Sequence, residues 1–236
     1  MTKVDENIQM ENARWTFSNI RDSFESHVKK SVPLYEEGHD LVCKYSDFFV
    51  KEKSLVCEIG CSTGALSRRL LEWHKDRKGI KFIGIDPVED MIMKAREVGG
   101  VDSRVEYICD DALNVDMDGV DLVVSYYTLQ FVQPATRQFL VDKIYKSLNW
   151  GGAFILFEKV RAPDARFQDY ASQVYCDYKI DQGFSCDEII NKTRSLKGVL
   201  EPFSTQGNLD IMKRAGFADI STILKWVCFE GFIAIK

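Results

Sequence analysis

Acidic residues placed where apolar runs end carry the chemistry most readily read from this sequence. Glu58 sits in Leu55-Val56-Cys57-Glu58-Ile59, which runs into the turn Gly60-Cys61-Ser62-Thr63-Gly64. Asp86 closes Lys81-Phe82-Ile83-Gly84-Ile85, and Asp110-Asp111-Ala112 follows the run from Arg104 to Cys109. Glycines at 60 and 64 let a backbone bend and approach a ligand closely. The dinucleotide fingerprint would need glycine at Ser62 and Ala65, and no Gly-Lys-Ser/Thr follows, so pyrophosphate and triphosphate ligands are disfavoured. A carboxylate inside the strand end, Glu58, suits a cationic or amine-bearing ligand better than a phosphate. An acid at the tip of a second strand accepts hydrogen bonds from ribose hydroxyls, which is the expectation for Asp86, and Asp110-Asp111-Ala112 can receive an adenine amino group. Ligands of open α/β sheets bind beyond the C-terminal strand ends, where all of these residues are expected to gather.

The elements that must position them alternate in the manner of a parallel sheet covered by helices on both faces. Strands are expected at about 54–59, 81–85, 104–108, 120–125 and 152–158. The crossover helices carry Leu66, Leu70 and Leu71, then Met91, Ile92 and Ala95, then Phe139, Leu140, Ile144 and Leu148. Asn149, Gly151 and Gly152 are expected to stop the last of them. A helix over 208–215 precedes two final strands at about 220–229 and 231–236, joined tightly at Glu230-Gly231 and therefore antiparallel. The reading is a doubly wound, seven-stranded, mostly parallel α/β fold forming one domain over 1–236. An N-terminal helical cap (1–50) includes the aromatic face of Trp15, Phe17, Phe24 and Tyr35, and an inserted helical lid (162–203) is rich in Phe167, Tyr170, Tyr175, Tyr178 and Phe184.

Composition narrows the function classes. Hydrophobic residues at 45% and charged residues at 28% fit a globular chain rather than a disordered one. With 31 Lys and Arg against 36 Asp and Glu, a net charge of -5 does not support a nonspecific grip on nucleic acid, so a small-molecule substrate is favoured. No apolar run is long enough to span a bilayer, and the polar, acidic start from Met1 to Glu11 is not expected to act as a signal peptide. Seven cysteines, with no C-x-x-C pair, argue for a reducing, cytoplasmic setting and against a structural zinc site, and no metal is expected. Cys57 reads as a buried strand residue and Cys61 as a small residue beside the ligand. Tyr126, Tyr127 and Gln130 follow the fourth strand, where acceptor groups enter, and Glu158-Lys159 ends the fifth near the same mouth.

Together these features resemble class I S-adenosylmethionine-dependent methyltransferases. By that resemblance Glu58 and the Gly60 to Gly64 turn lie along the methionine part of the cofactor, Asp86 holds the ribose, Met91 packs on adenine, and Asp111-Ala112 reads the adenine edge. The flanks Lys30-Ser31-Val32-Pro33-Leu34-Tyr35, Tyr127-Thr128-Leu129-Gln130-Phe131, Asp142-Lys143-Ile144-Tyr145, Asn149-Trp150-Gly151-Gly152-Ala153 and Glu158-Lys159 resemble the carboxy-S-adenosylmethionine synthases of the wobble-uridine modification pathway. The resemblance implies a cofactor set of Tyr35, Glu58, Gly60, Cys61, Ser62, Gly64, Asp86, Pro87, Met91, Asp110, Asp111, Ala112 and Tyr126. It implies a substrate set of Tyr127, Gln130, Glu158, Tyr175 and Arg194, and a homodimer paired through the lid. The chain departs from the pattern at Tyr126, where the family has asparagine, and at Thr193, where an ungapped comparison places the arginine that holds the added carboxylate. Without a guanidinium there, the pocket is expected to suit ordinary S-adenosylmethionine. Methyl transfer to a small cytoplasmic molecule is the leading expectation. Synthesis of the carboxylated cofactor and noncatalytic S-adenosylmethionine binding are the alternatives.

Overall fold

The computed structural model describes residues 24–236. The parts of the expected cap before Phe24, with Trp15 and Phe17, lie outside the described residues. Helices α1 (Phe24–Ser31) and α2 (Tyr35–Ser46) precede β1 (Leu55–Ile59), α3 (Ala65–Trp73), β2 (Lys81–Asp86), α4 (Glu89–Gly99), β3 (Val105–Cys109) and β4 (Val120–Tyr126). A single 3-10 turn at Leu129–Phe131 leads to α5 (Pro134–Ser147), β5 (Leu148–Lys159), α6 (Ala165–Asp181), α7 (Cys186–Ser195), α8 (Thr205–Ala215), β6 (Asp219–Trp226) and β7 (Phe229–Ile235).

The seven strands form one sheet in the order β3-β2-β1-β4-β5-β7-β6. The chain reverses its direction of winding between β1 and β4, which opens a crevice beyond their C-terminal ends. Only β7 runs antiparallel to its neighbours β5 and β6. Alternation along the central strands supplies two cores. Cys57, Ile59, Val123, Phe154 and Leu156 face α5 and α8, while Val56, Leu122, Val124, Ile155 and Phe157 face the layer of α2 and α3. Glu58 has the same parity as Val56 and so points toward α3 rather than α5.

Two boundaries differ from expectation. The β6–β7 hairpin turns at Val227-Cys228, with Val227 at a φ of 46°, and Glu230-Gly231 lies within β7. Gly231 is a close-approach glycine: a Cβ there would stand 2.8 Å from the Phe157 ring. Likewise α5 stops at Ser147 without waiting for Gly151, because Leu148 already pairs with Val120. The two lid helices begin with side-chain caps. Asp164 accepts from Phe167 N, and Ser185 with Glu188 forms a reciprocal capping box. No helix of the described residues is long and apolar enough to cross a membrane.

Candidate functional site

A cavity of about 510 Å³ opens beyond the tips of β1, β2, β4 and β5, roofed by α1, α6 and α7. Its floor begins at the β1 turn, where Gly60 has a φ of 72° and a Cβ would fall 2.1 Å from Thr128 Oγ1. Only glycine fits that position without displacing the loop after β4. Two residues on, Ser62 takes a φ of 50°, an arrangement sustained by its amide donating to Asp86 Oδ2 at 2.9 Å. Val88 N donates to Asp86 Oδ1, also at 2.9 Å. Each carboxylate oxygen therefore holds one backbone amide and keeps acceptor capacity for a second donor. Burial raises the Asp86 pKa, and the two amides partly offset it. Pro87, Val88 and Met91 continue this wall as an apolar shelf, with Ser62 Oγ 3.4 Å from Met91 Sδ.

The middle of the cavity is aromatic. Tyr126 Oη donates to the Tyr35 carbonyl at 2.7 Å, and its ring packs edge-on against Tyr35 and His39. Gly38 makes room for it, since a Cβ there would lie 2.1 Å from Tyr126 Oη. Tyr126 thus ties β4 to α2. Tyr127 lines the cavity from a strained φ of 58°, its amide donating to the Phe157 carbonyl at 2.8 Å. Gln130 borders the cavity, yet its amide is committed on both sides: Nε2 donates to the Tyr127 carbonyl at 3.1 Å and Oε1 accepts from Lys159 N at 2.9 Å. Through these two bonds it braces the loop that carries Tyr127.

The far wall is basic. Lys159, Arg161, Lys179, Lys192 and Lys197 all line it, whereas Asp86 is the carboxylate among the described lining residues. The ammonium groups of Lys159 and Lys179 lie 4.3 and 4.5 Å from the centre of the Tyr175 ring. Burial lowers the pKa of both lysines. Tyr175 Oη donates to the Ser31 carbonyl at 2.8 Å, joining α6 to α1. On α7, Lys192 contacts His27 Nε2 and Ser31 Oγ.

Of the residues expected from the sequence, the cavity gathers Tyr35, Gly60, Ser62, Asp86, Pro87, Met91, Tyr126, Tyr127, Gln130 and Tyr175. Others stand outside its lining. Glu58 is buried on the α3 side, accepts from Ser67 Oγ, and has its pKa pushed up to about 8 by burial. Cys61 and Gly64 are second-rank parts of the same turn, packed toward Tyr107 and Gly84. Asp110, Asp111 and Ala112 form a turn directly after Cys109, which pairs in register with Asp86. Glu158 points into the α5 and α8 layer, where burial raises its pKa to about 8. Arg194 is exposed on α7 outside the lining, and Thr193, which does line the cavity, donates its hydroxyl to the Ile189 carbonyl at 2.7 Å. Lys179, Lys192, Lys197 and Arg161 converge on the basic wall from separate segments, and the sequence reading did not name them. One signal for it was present, since Gln168, Ser172, Tyr175 and Lys179 recur at helical spacing and form one face of α6. Among the described residues, no group of three or more His, Cys, Asp or Glu side chains could hold a metal ion.

Residues 56–152 match the model of a methyltransferase domain family. The chain is 35% identical over 226 residues to a carboxy-S-adenosyl-L-methionine synthase of Staphylococcus epidermidis, covering 94% of this chain and 97% of the relative. A carboxy-S-adenosyl-L-methionine synthase of Campylobacter lari is 34% identical, with 93% of each chain covered. Among solved structures, human N-acetylserotonin methyltransferase in complex with S-adenosylmethionine superposes with a TM-score of 0.62 at 15% identity, over 93% of this chain and 56% of that one. A possible histamine N-methyltransferase of Thermotoga maritima superposes with a TM-score of 0.61 at 19% identity, over 93% and 98%. The fold is that of S-adenosylmethionine-dependent methyltransferases.

Proposed function

The chain belongs to the carboxy-S-adenosyl-L-methionine synthase family, and on that premise we propose that it binds S-adenosylmethionine in the cavity and yields the carboxylated form of that cofactor. The observation that carries this reading is the division of the cavity by charge, with, among the described residues, a single lining carboxylate at the Gly60 end and five cations at the other. A carboxylate on the ligand, or on a carboxyl donor beside it, meets cations there whose partial desolvation strengthens the attraction.

The residues present fit an adenosyl ligand. Asp86 offers acceptor capacity to the ribose hydroxyls, the Pro87, Val88 and Met91 shelf offers an apolar face to the base, and the Asp110-Asp111-Ala112 turn borders that shelf. When bound, S-adenosylmethionine supplies an activated one-carbon group on a sulfonium. Lys159 and Lys179 orient carboxylate at the basic wall, Tyr175 holds their ammonium groups in place, and the α6 and α7 roof excludes water. Ordinary methyl transfer to a small acceptor is the second reading, favoured by the absence of a guanidinium at Thr193.

The remaining parts of the proposal concern assembly and setting. Phe167, Tyr170 and Val174 are exposed on the outer face of α6, opposite its cavity face, and a second copy of the chain covers them in a homodimer. The seven free cysteines suit a reducing cytoplasm. Competition binding between S-adenosylmethionine and its carboxylated derivative tests the function. The carboxylated form should win by about tenfold or more, a difference of at least about 1.4 kcal/mol. Equal binding would return the assignment to ordinary methyl transfer, and light scattering of Tyr170→Glu, expected to give a monomer, tests the pairing.

A further inference from the structure

The Asp142-Lys143-Ile144-Tyr145 stretch has no part in the cavity, but Lys143 reaches across from α5 to the turn after β3. Its ammonium donates to three backbone carbonyls of that turn: Ala112 at 3.1 Å, Leu113 at 2.7 Å and Val115 at 2.6 Å. An ammonium has three protons, so its whole donor capacity is spent on this one turn. The amides of the turn are held from within. Leu113 N donates to Asp111 Oδ1 at 2.8 Å, Asn114 N donates to the Asp111 carbonyl at 2.8 Å, and Asp111 N donates to Asp110 Oδ1 at 2.7 Å. Lys143 therefore secures from the core side a loop whose two acids are exposed, and it does so directly beside the Asp86 end of the cavity.

We propose that Lys143 is the positioning residue for nucleobase recognition, fixing the turn whose Asp111 carboxylate and Ala112 backbone read the amino edge of adenine. The inference rests on the reading of the cavity as an adenosyl site and adds to it the group that sets base selectivity. Lys143 touches no ligand. It acts through the carbonyls of Ala112, Leu113 and Val115, and without them fixed the Asp111 carboxylate samples orientations that no longer match the base.

The test is a selectivity ratio measured by calorimetry: the affinity for S-adenosylhomocysteine divided by that for S-ribosylhomocysteine, which keeps the ribose and amino-acid parts and lacks the base. Lys143→Met should lower that ratio about tenfold, with S-ribosylhomocysteine binding unchanged, and Lys143→Arg should recover most of it. Because the ratio is internal to each protein, a general loss of stability cancels. If Lys143→Met does not fold, Lys143→Gln, which retains one amide donor group, is read by the same ratio and should show the same fall. A wild-type protein that prefers the adenosyl ligand and whose preference survives either variant overturns the proposal alone. A wild-type protein that binds both ligands equally, or neither, overturns the reading of the cavity and the proposal with it.

Discussion

Removing the Asp86 carboxylate should separate ligand recognition from loop support. In the folded protein its two oxygens each accept one backbone amide at 2.9 Å, from Ser62 and from Val88. Ribose hydroxyls would use the remaining lone pairs, and hydrogen bonds to a charged group contribute about 1.5 to 3 kcal/mol each. Asp86→Ala is therefore expected to weaken S-adenosylhomocysteine binding by about 3 kcal/mol, or roughly 150-fold. The same change strips two amides of their partner and releases Ser62 from its φ of 50°, so a melting experiment should also show a loss. To keep the two effects apart, calorimetry is run with S-adenosylhomocysteine and with its 2′,3′-dideoxy analogue. The wild-type protein should discriminate strongly between them and Asp86→Ala hardly at all. Binding of S-adenosylhomocysteine by the variant within about threefold of wild type would remove Asp86 from the ribose site.

Gly38→Ala should destabilise the fold by about 1 to 3 kcal/mol in urea melts, because the new methyl meets Tyr126 Oη, and adding Tyr126→Phe should recover part of that loss. His39 is buried between Tyr35 and Tyr126, and desolvation lowers its pKa to about 4. Its contribution to stability is present above the unfolded value near 6.5 and is lost as the pH falls toward 4, by about 3 kcal/mol; melts from pH 7.5 to 4.5 should show this decline weakened in His39→Phe. Glu158 has the opposite sign. Its folded pKa is raised to about 8 by burial, so its share of stability is full below the unfolded pKa and lost as the pH rises toward 8. Glu158→Gln should consequently melt higher than wild type at pH 8.5, with the gain disappearing near pH 5.

The elements around the cavity that were legible in advance are those set by local sequence. A hydrophobic strand entering Gly60-Cys61-Ser62, and a second strand ending on Asp86, carry their geometry within a few residues. The orientation of Glu58 was also within reach, because strand alternation puts it with Val56 on the α3 face. The basic wall was not, since it is assembled by β5, the loop after it, α6 and α7, and nothing local in any of those segments states that they meet. Arg194 shows the same limit. Adjacent positions on a helix point about 100° apart, so a sequence comparison without a fixed α7 register could not say whether Thr193 or Arg194 faces the cavity. The hairpin was recognised but its turn misplaced, because Gly231 marks a close approach of Phe157 rather than a reversal of the chain.

The central claim concerns which sulfonium compound the cavity holds and makes, and it is tested most directly by mass spectrometry of the small molecule released from freshly purified protein. The account predicts S-adenosylmethionine bearing one added carboxyl group. Ordinary S-adenosylmethionine or S-adenosylhomocysteine alone, from protein shown by calorimetry to be competent to bind, would contradict it.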